Sequence, residues 1–323
     1  MARILTGIQS TGTPHLGNIL GAILPAIENA KAKENDSFLF IADLHSLTQI
    51  KNPEELRANT YSVAAAWLAF GLDTDKTVFY RQSDVPQCAE LAWYLNCFFP
   101  YQRLKLAHSF KDKSNRLEDV NAGLFIYPML MAADILLYDA NLVPVGKDQL
   151  QHLEMARDVA ARVNHKFENV FIVPEPLVRK DSMLIPGTDG EKMSKSKHNT
   201  IDIFQDQNSL KKIINKNIIT DNIPLEEPKD PNESTIFKLY QQIASKDQAN
   251  EMAEQLKKGG YGWGHAKKEL LNILNEQFDA PREKFNYFMN NKKELDTILE
   301  SGAQKAKAVA SETLNRVRNA IGY

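Results

Sequence analysis

Hydrophobic and polar positions alternate in two rhythms along the first half of the chain. Short runs rich in β-branched and aromatic residues, Arg3–Ile8, Phe38–Ala42, Val78–Arg81, Leu142–Val145 and Val170–Val173, read as strands. Between them Leu16–Lys33, Pro53–Phe70, Val85–Phe99, Tyr127–Tyr138 and Gln149–Val163 read as helices. Leu150, Leu153, Ala156, Ala160 and Val163 recur at steps of three and four, which makes one apolar helical face. Strands alternating with helices predict an α/β fold with a doubly wound parallel sheet covered on both faces. Ligands of such sheets lie at the carboxyl ends of the strands, near the point where the strand order reverses.

After about Pro186 the rhythm changes. Lys-, Glu- and Asn-rich helical segments take over, punctuated by Pro224, Pro228, Pro231 and Gly259–Gly264. The expected organisation is a catalytic domain over 1–189 and a mostly helical domain over 190–323. Well-spaced Ala and Val between Gly302 and Ala320 predict a terminal helix that docks back (about 302–321). The sequence has no repeats or low-complexity tracts.

Composition changes this picture little. A chain of 323 residues with 43% hydrophobic and 25% charged content is ordinary for a soluble globular protein. A formal net charge of −2 decides nothing about nucleic acid, because a binding face needs only a local basic patch. Basic residues cluster at Lys192–Lys197, Lys211–Lys216 and around Lys257–Lys268; each alone reads as a solvated face. Cys88 and Cys97 complete neither a metal site nor a disulfide framework, and are expected to be buried small apolar residues in a reducing compartment. Met1–Ile8 lacks a signal-peptide pattern. The longest apolar stretch, Gly123–Tyr138, is short and interrupted by Pro128 and Asp134. No membrane association and a cytoplasmic location are expected.

Candidate chemistry begins where the first strand runs into Gln9-Ser10-Thr11-Gly12-Thr13-Pro14-His15-Leu16-Gly17-Asn18. Gly12 permits the turn, His15 and Asn18 offer polar side chains at a helix start, and Gly17 allows close approach to backbone. Such a helix start is a polyphosphate site or, equally, an ordinary strand-to-helix turn with a cap. Far downstream, Lys192-Met193-Ser194-Lys195-Ser196 sits in a loop that Gly187 and Gly190 are expected to loosen. Taken alone such a basic pentapeptide reads as a solvated loop, although two ammonium groups on a mobile loop would also suit phosphate charge. Tyr127, Met131 and Asp134 share one helical face in apolar surroundings. A carboxylate buried there needs a donor. A ligand N–H or a donor within the fold would each serve, and the physics alone favours the second.

The first segment resembles the "HIGH" signature of class I aminoacyl-tRNA synthetases in a shortened form, and Lys192–Ser196 is a complete "KMSKS". The wording Tyr127-Pro128-Met129-Leu130-Met131-Ala132-Ala133-Asp134-Ile135-Leu136-Leu137-Tyr138 resembles the tryptophan-pocket helix of bacterial tryptophanyl enzymes. The resemblance covers essentially the whole chain and implies a Rossmann-like catalytic domain followed by a helical tRNA- and anticodon-binding domain. It implies catalytic roles for His15, Asn18, Lys113, Lys192 and Lys195. Lys113 belongs to Phe110–Ser114, which matches a loop whose second lysine approaches ATP. It implies ATP contacts from Gln9, Ser10, Thr11, Gly17, Asn18, Gly146, Lys147, Asp148, Met183, Lys192, Met193, Ser194, Lys195 and Ser196. Tryptophan contacts are implied for Leu5, Gly7, Gln9, His45, Tyr127, Met131, Asp134 and Gln149, with the substrate amine near Gln149 and Tyr127. His45 also reads as an ordinary polar strand end.

Departures from the family wording occur at His15, where many tryptophanyl enzymes have Thr, at Lys147, where many have Glu, and in Pro186–Glu191. Tyrosyl enzymes share the fold and an Asp matching Asp134, but place Tyr at the Leu5 position and commonly Gln at that of Met131. Two apolar residues there leave room for an indole with one polar handle. The implied substrates are tryptophan, ATP with Mg2+ held mainly by its phosphates, and the tryptophan tRNA, with no protein-bound metal. A homodimer is implied, with Trp93–Tyr101 as either its interface or part of the core. A regulatory paralogue without catalysis would carry degraded signatures, and both are intact here; a small-cofactor nucleotidyltransferase would lack the tryptophan-pocket helix.

Overall fold

In the computed structural model, residues 2–32, 34–107, 120–146, 149–178 and 184–323 are described. β1 (Ala2–Ile8), β2 (Asn35–Ile41), β3 (Val78–Arg81), β4 (Leu142–Val145) and β5 (Glu175–Val178) form one sheet in the order β3-β2-β1-β4-β5. Every pairing is parallel. The order reverses between β1 and β4, which is the switch point of a Rossmann-like sheet.

Around the sheet lie α1 (Leu16–Asn18), a π-helical turn Ile19–Ile23, α2 (Leu24–Lys31), α3 (Asp43–Ser46), α4 (Pro53–Ala69), α5 (Gln87–Phe98) and α6 (Tyr101–Leu104). α7 (Ala122–Leu136) and α8 (Leu150–Phe167) follow. α7 starts ahead of the expected Tyr127 because the Asn121 side chain accepts the Leu124 N–H at 3.1 Å and caps the helix there.

The last strand corrects the sequence reading. Val170–Val173 is not a strand; the pairing with β4 falls on Glu175–Val178. The Asn164 side chain accepts the Phe171 N–H at 2.7 Å and donates to its carbonyl at 2.8 Å, so both ladder groups of Phe171 are consumed. Pro176 is tolerated in β5 because β5 is an edge. A second correction concerns the thiols: Cys88 is buried, but Cys97 is exposed.

From residue 190 on the chain is helical: α9 (Gln207–Lys216), α10 (Thr235–Tyr240), α11 (Lys246–Lys258), α12 (Trp263–Asn290) and α13 (Lys292–Ile321). Its core is continuous with that of the first part, since Ile19, Val63 and Trp67 share one buried cluster with Ile201, Leu210, Leu270 and Leu274. The opposite sheet face packs Leu5, Phe38, Leu91, Leu136 and Leu153 against Ala306 and Leu314 of α13. α13 thus returns to cover the open edge of β3, where a strand edge would otherwise be exposed. The approach is so close that a Cβ on Gly302 would lie 1.8 Å from the Phe79 carbonyl oxygen. Asp296 fastens the same helix, accepting from Arg81 at 2.8 Å and from the Tyr61 hydroxyl at 2.9 Å.

Candidate active site

The carboxyl end of β1 delivers the first signature. Gly7 lies against the Phe40 ring, whose Cζ would be 2.4 Å from an added Cβ, so no larger residue fits. Ser10 is fully buried, and its N–H and hydroxyl both bond the Ser46 hydroxyl of α3 at 3.0 Å. Its side chain is therefore committed within the fold, while Gln9 and Thr11 are half-buried. Gly12 turns the chain at φ +123, a conformation that favours glycine.

His15 caps α1 by accepting the Asn18 N–H on Nδ1 at 3.3 Å, and the Asn18 Oδ1 accepts the His15 N–H at 3.2 Å. Burial, helped by the charge of Lys195, lowers the His15 pKa to about 4. The ring is neutral near pH 7, and because Nδ1 accepts, the proton sits on Nε2, a donor without net charge.

The second signature closes over the first. The Gly17 N–H donates to the sulfur of Met193 at 3.3 Å, and the Leu16 N–H donates to the Ile201 carbonyl at 2.8 Å. Lys195 reaches back to the turn before α1, where its Nζ would lie 3.0 Å from a Cβ on Gly12. Burial lowers its pKa to about 8, against the opposing charge of Asp202. Lys192 and Ser196 are exposed, and the Ser194 and Ser196 hydroxyls bond each other at 2.9 Å. Lys197 pairs with Glu191 at 2.5 Å. Gly187 gives space to the buried Asn199 side chain, and Gly190, at φ +78, lies against Thr235.

The third group surrounds Asp134, which is 3% exposed. Its Oδ2 accepts from His45 Nε2 at 2.8 Å, and its Oδ1 accepts from Gln82 Nε2 at 2.7 Å and the Cys88 thiol at 2.9 Å. The fold thus supplies three donors to a carboxylate that could not be buried without them. A carboxylate has room for about four, which leaves one acceptor position on Oδ2. The Gln82 side-chain oxygen Oε1 accepts the Leu44 N–H at 3.1 Å, so this side chain ties α3 to α7. Burial and the Asp134 charge push the Cys88 thiol up, keeping it protonated as a donor.

Leu5 is buried on β1 and Met131 is half-buried one turn before Asp134. The Tyr127 hydroxyl bonds His152 Nε2 at 2.8 Å, and His152 Nδ1 bonds the Gln149 side-chain oxygen Oε1 at 3.1 Å. Gly146 ends β4, its carbonyl accepting the Gln149 N–H at 3.0 Å. Of the residues expected in the site, Lys113, Lys147, Asp148 and Met183 lie outside the described residues.

Sequence reasoning missed Gln82, Cys88, His152 and Asn199. Gln82 follows the end of β3, as Asp43 follows β2, so the strand-end rule could have found it. His152 lies three residues beyond Gln149, in the first turn of α8; nothing in the sequence marks Cys88 or Asn199. Among the described residues no group of three His, Cys, Asp or Glu could hold a metal ion, and no helix is long and apolar enough to cross a membrane.

Residues 1–279 match the family model of class I tRNA synthetases of the tryptophan and tyrosine type. The tryptophan–tRNA ligase of Neisseria meningitidis is 43% identical over 329 residues, covering 99% of this chain and 97% of that protein. That of Fusobacterium nucleatum is 43% identical over 323 residues, covering 100% and 98%. Among solved structures, the tryptophanyl-tRNA synthetase of Campylobacter jejuni complexed with ADP and tryptophan superposes with a TM-score of 0.93 at 43% identity, covering 99% of this chain and 100% of that one. A closed pair of signatures at the switch point of a parallel sheet, beside a buried carboxylate, is thus matched by relatedness along the full length: the chain belongs to the class I tRNA synthetases of the tryptophan and tyrosine type.

Proposed function

We propose that the chain is a tryptophan–tRNA ligase, which activates tryptophan with ATP and transfers it to the terminal adenosine of its tRNA. The observation that carries this is the contact of the two signatures across Gly17 and Met193, with α3 tying the first signature's turn to Asp134 through Ser10–Ser46 and His45–Asp134. In the first step the tryptophan carboxylate attacks the α-phosphate in line, forming the mixed anhydride and releasing pyrophosphate. In the second a ribose hydroxyl of the tRNA attacks the anhydride carbonyl and releases AMP.

No protein nucleophile is needed, so positioning and charge stabilisation carry the rate. His15 offers a neutral Nε2–H donor, and Lys192 and Lys195 offer cations to the phosphates and the departing pyrophosphate. Mg2+ would arrive with ATP and offset charge on its phosphates. Asp134 accepts the indole N–H on its remaining acceptor position, Leu5 and Met131 give the ring apolar contact, and Gln149 with Tyr127 faces the substrate amine. The helical region after residue 190 is assigned to tRNA.

A homodimer is part of this reading. Leu47, Trp93 and Ile126 present exposed apolar surface around a cavity of about 400 Å³ that Leu44, Ala92 and Leu130 also line. The test is charging of a tRNA transcript bearing the tryptophan anticodon, together with sedimentation of the free protein. Tryptophan incorporation by a particle of twice the 36.5 kDa chain mass is expected. Failure to charge, with active controls, would remove the reading.

A further inference from the structure

Asn199 follows the second signature and has no counterpart in the roles assigned above. It is 2% exposed, in a loop whose neighbours Lys197 and His198 face solvent. His198 adopts a left-handed conformation at φ 53, which turns the chain so that Asn199 points back under the signature. The Asn199 Oδ1 accepts the Ser194 N–H at 2.7 Å. Its Nδ2 donates to the Asp189 carboxylate at 2.7 Å and to the Lys192 carbonyl at 3.1 Å. Its backbone carbonyl accepts the Thr188 N–H at 2.9 Å.

Both amide hydrogens are thereby used, and the amide oxygen is engaged by Ser194, so the side chain bonds within the loop. The bonds to Lys192 and Ser194 flank Met193, the residue that reaches Gly17. The space under the signature is reserved for this side chain, because a Cβ on Gly187 would lie 2.4 Å from the Asn199 Cγ and Nδ2. The same Asp189 oxygen, Oδ1, also accepts the Glu191 N–H at 3.0 Å, which helps hold the carboxylate in place.

We propose that Asn199 is a positioning residue for amino-acid activation: it fixes the backbone of Lys192–Ser194 so that Lys192 and Lys195 meet the phosphates, without itself touching substrate. This rests on the reading of those lysines as phosphate-facing. A hub of this kind acts on the transition state, since a displacement of about 1 Å in a charge-stabilising group can cost on the order of a hundredfold in rate.

The test measures single-turnover adenylate formation in the full chain and tryptophan affinity without ATP by equilibrium dialysis. Asn199→Ala should slow adenylate formation at least about tenfold while the tryptophan Kd stays within about twofold. Asn199→Asp keeps the acceptor for Ser194 but loses both donations and faces Asp189, so it should be slow as well. The exchanged pair Asp189→Asn/Asn199→Asp restores a donor–acceptor couple and should recover at least about threefold over Asn199→Asp alone. That recovery also serves if Asn199→Ala folds poorly.

A rate within about twofold of wild type in Asn199→Ala would overturn the proposal. So would no recovery in the exchanged pair, or a loss of tryptophan affinity equal to the loss of rate. Lys195→Ala run alongside separates the two layers. If it keeps the wild-type rate, the reading of the signature fails and the proposal with it. If it is slow while Asn199→Ala is not, only the positioning role fails.

Discussion

The Gly17 N–H and the sulfur of Met193, 3.3 Å apart, join two signatures separated by 176 residues. Gly17 opens the helix after β1, and Met193 is the centre of the loop that begins the helical half. One backbone group of the first thus meets one side chain of the second, with Lys195 alongside at Gly12. The contact brings the second signature against the turn that follows β1.

Lys195→Ala tests that arrangement. Removing one charge-assisted contact to developing phosphate charge should lower the rate of adenylate formation by about tenfold to a hundredfold. Tryptophan affinity measured without ATP should barely move. Equal losses in rate and affinity would show a ground-state role instead.

The lowered pKa of Lys195 sets a pH limb. Its amine, at about 8 in the unliganded protein, must be protonated to act, so kcat/KM for ATP should fall as pH rises through about 8. Stability moves the other way. Between about 8 and the ordinary lysine value of 10.5 the unfolded chain binds this proton more tightly, so this group's contribution to stability increases with pH. Lys195→Arg, which stays charged, should remove the limb in a pH–rate profile.

Legibility in the sequence followed the range of the interactions. β1, β3 and β4 were readable because local hydrophobic runs and their turn residues agree. β5 was not, because the Asn164 side chain takes up both backbone groups of Phe171 and the β-rich run never pairs. The signatures and the Tyr127–Asp134 face could be found as local patterns. The donors to Asp134 could not, since Gln82 and Cys88 lie 52 and 46 residues away and meet it only through the fold. For the same reason the room that Gly187 leaves for Asn199 was not legible, since the two meet only in the folded loop.

Asp134→Ala leaves donors on His45, Gln82 and Cys88 unpaired in the core, so it should lower the melting temperature whatever the substrate does. Stability alone therefore does not report the indole contact. The substrate analogue with sulfur in place of the indole nitrogen does. Loss of kcat/KM for tryptophan should be on the order of 2–4 kcal/mol in the mutant. The analogue should be poor with wild type and lose little further. Equal losses for both substrates would return Asp134 to a purely structural role.

Gly302→Ala places a methyl group 1.8 Å from the Phe79 carbonyl oxygen, which neither α13 nor β3 can yield without moving apart. Overpacking of this kind costs typically about 1–3 kcal/mol, and a backbone clash puts it at the upper end or beyond. Thermal unfolding of the variant should show a melting temperature lower by several degrees; an unchanged one would mean α13 is not seated on β3.

The most direct test of the central claim is ATP–pyrophosphate exchange with each of the twenty amino acids. With Leu5 and Met131 apolar and Asp134 as the single polar handle, exchange should run with tryptophan and be far weaker with tyrosine or phenylalanine. Comparable exchange with tyrosine would contradict the account.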